Sequence, residues 1–167
     1  MKCGGWFAVL TAIFFTGCHG TKDIPAVTGF ELNRYLGKWY EIARLPNWFE
    51  RDMKQVSAEY FLDSDGSCRV INSGVRRGEK ESVSGVIRFA GANDRGELEV
   101  SFFRPFYGSY RIIKLASDYR YSVVTSDSRD LLWILARKPQ LSVEDMAEIT
   151  LFLHEYKFPV NKLISGQ

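Results

Sequence analysis

The sequence predicts an all-β fold, a sandwich or barrel of short strands, with one helix near its end. Apolar and polar residues alternate with period two in several stretches, and turn residues punctuate them at short intervals. One late segment carries apolar residues at helical spacing instead. The 167 residues suffice for one domain with a real core and are too few for two ordinary ones. Hydrophobic residues make up 46% of the chain and aromatics 14%, which sets it apart from disordered sequences.

The first element is a leader. Met1-Lys2 is a short positive start, and Trp6 to Phe15 is an apolar run. That run falls short of the roughly 20 residues needed to span a bilayer and suits an export signal. It ends in Phe15-Thr16-Gly17-Cys18, and small residues directly before a cysteine resemble the lipobox of bacterial lipoproteins. The resemblance implies a lipoprotein signal peptide over 1–17 and acylation of Cys18, although Phe15 stands where an aliphatic is usual. An ordinary export signal with an incidental cysteine is the other reading. His19, rather than Asp, follows Cys18; by resemblance to the sorting rule of Gram-negative lipoproteins, this implies the periplasmic side of the outer membrane. With Cys3 removed and Cys18 acylated, Cys68 is left alone and cannot form an intramolecular disulfide.

Residues 18–29 read as a lipidated tether, polar and interrupted by Pro25. Fully extended, such a segment reaches about 35 Å. From Phe30 to the end, residues 30–167 form the domain. In Gln55 to Leu62, the residues Val56, Ala58, Tyr60 and Leu62 share a face opposite Gln55, Ser57 and Glu59. Val83, Gly85, Ile87 and Phe89 alternate with Ser82, Ser84 and Arg88, and Leu98, Val100 and Phe102 alternate with Glu97, Glu99 and Ser101. One polar face means a sheet with one wet side and one buried side. Asp63 to Gly66, Arg77-Gly78, Asn93 to Gly96 and Ser126 to Ser128 supply turns. Tyr110 to Leu115 and Tyr119 to Thr125 are apolar on both faces, so something packs outside them. The candidate is a helix from Val143 to about His154, opened by Ser142 and Asp145 as a capping box. Val143, Met146, Thr150 and Leu153 form its expected stripe against the barrel wall.

Tyr35 to Arg44 (YLGKWYEIAR) resembles the G-x-W-Y signature that opens the first strand of lipocalins. Leu131 to Arg137 (LLWILAR) resembles their last strand with its terminal arginine, and Ser117-Asp118-Tyr119 resembles their T-D-Y motif. Phe102 to Gly108 (FFRPFYG) is similar to a stretch of bacterial lipocalins and apolipoprotein D. The likeness covers about Phe30 to Ile164 and implies an eight-stranded antiparallel up-and-down barrel with one C-terminal α-helix packed outside. It places Trp39 and Arg137 at one closed end, with the guanidinium on the indole face and Gly37 letting the preceding turn pass beneath.

A barrel of eight strands is filled by side chains or holds one small ligand. The inward set is expected to be Val56, Ala58, Tyr60, Asn72, Val83, Ile87, Leu98, Val100, Phe102, Trp133 and Leu135. Of these, Tyr60, Asn72 and Trp133 match pocket positions of the apolipoprotein D branch, and small Ala58 and Gly85 favour a void. The implied partner is a fatty acid or lysophospholipid, its polar group met by Asn72, by the Tyr60 hydroxyl, or by Arg44 or Lys54 near the mouth. Trp48-Phe49 and Phe106-Tyr107 rim the mouth or form a homodimer face.

Other classes find less in the sequence. The formal charge is only +2, and no run of cations exceeds Arg76-Arg77, so nucleic acid is not an expected partner. Mature His19 and His154 join no cluster at metal-ligand spacing, and no cofactor is expected. Cys68 is the one candidate nucleophile, with no histidine near it in sequence to activate it. A carrier without catalysis is therefore the leading expectation; an envelope interaction protein with a filled barrel comes second and an enzyme third.

Overall fold

A computed structural model describes residues 20–167. The leader, Cys18 and His19 lie outside the described residues. Eight antiparallel strands follow one another: β1 (Gly37–Arg44), β2 (Met53–Leu62), β3 (Cys68–Arg76), β4 (Glu79–Phe89), β5 (Glu97–Phe103), β6 (Phe106–Leu115), β7 (Tyr121–Thr125) and β8 (Leu132–Ala136). Each strand pairs with its neighbour in sequence, and β1 pairs with both β2 and β8, which closes the sheet into an up-and-down barrel. Closure removes the long open edges that a flat sheet of these strands would have.

The turns lie where turn chemistry stands in the sequence. Arg77 and Gly78 both take positive φ, 53° and 88°, as the two-residue hairpin between β3 and β4 requires. Loops 45–52, 77–78, 104–105 and 126–131 gather at one end, the mouth. The other end, the floor, is covered by Phe30 and the short helix α1 (Leu32–Tyr35), whose Tyr35 is fully buried.

Two apolar clusters result. One fills the lower barrel around Phe30, Tyr35, Trp39, Tyr60, Leu98 and Ile112. The other lies outside, where α2 (Val143–Glu155) covers β6, β7 and β8. Tyr121, Val123 and Ile134 point outward into it, while Val124 and Leu135 point into the barrel. This is why those strands are apolar on both faces. A register shift between Ile112 and Lys114 lets both Ile113 and Lys114 face the helix and returns Leu115 to the interior.

Two expectations need correction. The α2 stripe is Met146, Ile149, Phe152 and Leu153, whereas Val143 at the helix start is 80% exposed. Spacing from Val143 selected a face rotated from the one that packs. The capping geometry itself is present, with Ser142 Oγ accepting from the Asp145 N–H at 3.0 Å.

From Gly20 onward, the segment read as a tether is bound to the barrel. Ile24 is fully buried under the outer cluster, and Arg111 donates to the carbonyls of Thr21 and Ile24 at 2.6 and 2.7 Å. Gly20 bridges Ser128 at the mouth, and Thr28 bridges Arg95 at the floor. The chain thus descends the whole outer wall before entering α1. Counting polar residues and Pro25 overlooked Ile24, Ala26 and Val27, whose burial outweighs the solvation of their neighbours.

Candidate ligand site

The floor is built from the residues around Gly37. Its φ of +86° turns the chain from α1 into β1, a conformation that glycine adopts without a Cβ penalty. Trp39 then enters the barrel with its indole N–H donating to the Tyr35 carbonyl at 2.8 Å. Arg137, just past β8, lies 3.9 Å over the Trp39 ring and donates to the carbonyls of Arg34, Leu36 and Lys38. One guanidinium therefore holds the α1–β1 corner at three carbonyls and covers the indole.

Above the floor, pairing register lines up the inward faces. Trp39, Ala58, Asn72 and Val83 form one row across β1 to β4; Tyr60, Val70 and Gly85 form another. Ile87 pairs with Val100, Leu98 with Tyr110, and Leu135 with Ser122, continuing the same face around the barrel. Ala58, Tyr60, Ile87, Leu98 and Leu135 are buried, as is Val56 beside Gly74. Val100, Phe102, Trp133 and Asn72 are half-buried, and Val83 is 41% exposed although its row points inward. Exposure thus grows toward the mouth on the β5 and β8 walls, while Val56 on β2 stays buried. Gly85 does not open a void, because a Cβ there would lie 2.9 Å from the Phe102 ring. Phe102 fills the space that the small residue leaves.

Two polar networks interrupt this wall. In the first, four buried hydroxyls form a chain: Tyr60 to Tyr110 at 2.8 Å, Tyr110 to Tyr35 at 2.8 Å, and Tyr35 to Ser122 at 3.1 Å. Tyr35 gives its proton to Ser122, so Tyr110 must donate to Tyr35, and Tyr60 to Tyr110. The Tyr60 oxygen is then left as an acceptor only. Burial holds the Tyr60 and Tyr110 hydroxyls far above the ordinary phenol range, and Tyr35 is pushed up to about 12. The network is neutral at any physiological pH.

The second network lies nearer the mouth. A register shift between Glu41 and Ala43 turns both Glu41 and Arg44 inward, opposite Leu135 and Trp133. Arg44 donates to Glu41 Oε1 at 2.5 Å and to the carbonyls of Glu50 and Met53; the Trp133 indole N–H donates to Glu50 Oε2 at 2.9 Å. Burial, reinforced by the Glu50 carboxylate, pushes Glu41 up to about 7 against the pull of Arg44. Arg44 is 2% exposed and held through both terminal nitrogens, with its Nε buried and lacking a hydrogen bond, so it is not the headgroup partner expected from its place near the mouth; Lys54 is exposed.

Beside these, a cavity of about 390 Å³ is lined by Leu32, Cys68, Ile87, Phe89 and Leu98, with Arg88 and Arg104 among its polar contacts. Its size falls within the range of small-ligand pockets.

Comparison with known proteins agrees with this architecture. Residues 30–167 match the lipocalin-like domain family. The chain belongs to the lipocalin family. It is 39% identical over 165 residues to the outer membrane lipoprotein Blc of Vibrio cholerae, covering 96% of each chain. It is 43% identical over 145 residues to the Blc of Escherichia coli K12, covering 86% of this chain and 82% of the relative. Bovine apolipoprotein D is 32% identical over 148 residues, 83% of this chain and 77% of that one. Among solved structures, insecticyanin from the tobacco hornworm superposes with a TM-score of 0.70 at 23% identity, over 87% of this chain and 84% of that one. Its place, like that of its bacterial relatives, is the outer membrane.

In this lipocalin Ala58, Tyr60, Ile87, Leu98 and Leu135 lie in one apolar cluster with Val100, Phe102 and Trp133 packed against it, while Val56 and Val83 belong to neither cluster. What sequence reading missed are Tyr35, Tyr110, Ser122, Glu41 and Glu50. The hydroxyl chain needs four elements distant in sequence, and Arg44 joins Glu41 inside only because the β1 bulge breaks simple alternation. Cys68 lies on the inward face near the floor, and both burial and the Asp63 carboxylate push its thiol up. Among the described residues, no group of three or more His, Cys, Asp or Glu could hold a metal ion.

Proposed function

We propose that this lipocalin carries one fatty acid or lysophospholipid in its barrel, storing or transporting it for membrane maintenance, and catalyses nothing. The observation that supports this is the gradient along the inward face. Val83, Val100, Phe102 and Trp133 are apolar and point into the barrel, yet keep solvent contact. A barrel filled by its own side chains would bury them. A buried methylene contributes about 0.8 kcal/mol, so a long acyl chain gains on the order of 10 kcal/mol before the costs of association. Asn72, half-buried one ladder row closer to the mouth than Tyr60, brings amide donors, while Tyr60 itself brings only an acceptor. Acylation at Cys18 would hold the carrier on the bilayer, since two or three chains anchor durably where one does not.

The test is native mass spectrometry and titration with a fluorescent fatty acid, using the domain from His19 onward. Saturable uptake near one lipid per barrel, lost in Ala58→Trp, is the expected result. A folded barrel that takes up no lipid would overturn the reading in favour of an interaction protein with a filled interior.

A further inference from the structure

Among the described residues, the four most exposed Trp and Phe side chains stand at the mouth. Trp48 is 80% exposed and Phe49 40%, both in the loop between β1 and β2; Phe103 and Phe106 are each 78% exposed, at the turn between β5 and β6. In an eight-stranded barrel these two loops stand on opposite sides of the rim. Exposed aromatic groups of this size on a single surface mark a docking site.

A third point on the same rim is set by the N-terminal segment. Gly20 bridges Ser128 in the loop between β7 and β8, and Arg129 donates to the Gly20 carbonyl and pairs with Asp23 at 2.5 Å. Cys18 is two residues earlier, so its sulfur branches off within about 7 Å of chain from the mouth. A free tether of the expected length would have left the barrel's orientation open. A segment stapled to the outer wall as far as the rim fixes it.

We propose that the mouth is a bilayer-docking surface, with the aromatic tips of the β1–β2 and β5–β6 loops seated in the interfacial layer beside the lipid-bearing Cys18. Three points on a ring define a plane, and here the plane is that of the mouth, so the barrel opens onto lipid rather than water. The Trp48 indole suits that depth, with one end of its ring apolar and its N–H wet, and the wholly apolar phenyl rings seat just beneath it. Charge is close to balanced: exposed Arg51, Arg77, Lys80 and Arg104 stand on the mouth loops against Asp52, Glu79, Asp127 and Asp130, so the rings rather than the charges carry the docking. The inference rests on the carrier reading for its purpose and on Cys18 acylation for its third point. It adds that cargo passes between bilayer and barrel without crossing water.

The test uses the full lipidated protein in vesicles of phosphatidylethanolamine and phosphatidylglycerol with brominated acyl chains, which quench only tryptophan at membrane depth. Strong quenching that disappears in Trp48→Phe is expected, the substitution separating Trp48 from Trp133, which brominated cargo in the barrel would also quench. For the unlipidated domain from His19, Trp48→Ser with Phe103→Ser and Phe106→Ser should weaken vesicle partitioning by roughly tenfold or more. Fatty-acid affinity in solution should remain unchanged, which shows that the variant is folded. Equal quenching in wild type and Trp48→Phe overturns the docking and leaves the carrier standing. So does a concentration-dependent dimer abolished by the same three substitutions, because the rings would then belong to a second copy. Docking without any fatty-acid uptake overturns the carrier reading and leaves the docking intact.

Discussion

Glu41 and Arg44 show how much a single bulge decides. Strict alternation along β1 would place one of them outside; the register shift at Ile42 brings both inside, where each is almost wholly removed from water. A buried carboxylate beside Glu50 is costly to ionise, and Arg44 offsets that cost only in part. Folded Glu41 therefore keeps its proton up to about 7, whereas the unfolded side chain releases it near 4.5. Between those values the folded state binds the extra proton, so stability declines as pH rises through the window and levels off above it. The loss is on the order of 3 kcal/mol. Urea midpoints at pH 5 and pH 8 should differ accordingly in wild type, and Glu41→Gln should flatten the difference. A wild-type midpoint that rises with pH across this window would mean that Arg44 dominates and that Glu41 titrates below its ordinary value. Arg137 stands at the other extreme of legibility. Its role at the floor follows from a motif at each end of the barrel, whereas the pairing of Glu41 with Arg44 could not be read from any motif, since the bulge leaves no mark in composition or spacing.

Strands β2, β4 and β5 were legible because each carries its own alternation, and several of the turns because they carry Gly, Asn or Asp. The packing of elements on the outer wall was not. The helix stripe was misplaced because Val143 sits in the first turn, where the chain still clears the barrel, and Ile149 lies at the true centre of contact. The segment 20–28 was misread for a related reason. It has no periodicity, and its attachment depends on Arg111 and on backbone groups of β6 that no local pattern reveals. Ile24 is the anchor of that segment, fully buried against Leu45, Ile113 and the C-terminal side of α2 in one cluster. Ile24→Ala should cost about 2–5 kcal/mol if the cluster cannot collapse around it. Amide exchange distinguishes the two pictures of this segment. Val27 donates to the Ile112 carbonyl at 2.9 Å, so its amide should be protected in wild type and exchange much faster in the variant. An unprotected wild-type Val27 would restore the free tether.

At the scale of the whole barrel, closure is uneven around the ring. β1 and β2 pair only from Gly37 to Tyr40, toward the floor, and then diverge. The gap near the mouth is bridged by the end of the chain. A two-residue strand, β9 (Ile164–Ser165), pairs with Ala43 and Arg44; the Val56 N–H donates to the Gly166 carbonyl at 2.9 Å; and Gln167 Nε2 donates to the carbonyls of Glu41 and Val56. Gly166 fits there because a Cβ would meet Glu41 at 2.5 Å. The eight-stranded fold was readable from motifs in order, but this seam was not, because Ile164 to Gln167 show no strand pattern of their own. The tail supplies the ladder that β2 would otherwise give to β1, next to the Glu41 network and the half-buried Trp133. Removing residues 164–167 should therefore destabilise the barrel by about 2–3 kcal/mol, the sum expected for a few backbone hydrogen bonds. The loss should be local. Amides of 41–44 and 54–57 should lose protection, while those around Trp39 and Tyr60 keep theirs. If the seam also limits how fast a ligand reaches the interior, stopped-flow mixing with a fluorescent fatty acid will show faster association in the truncated protein. An unchanged rate beside the same local exchange would assign ligand passage to the mouth alone, consistent with a barrel that exchanges lipid through the rim bearing Trp48 and Phe106.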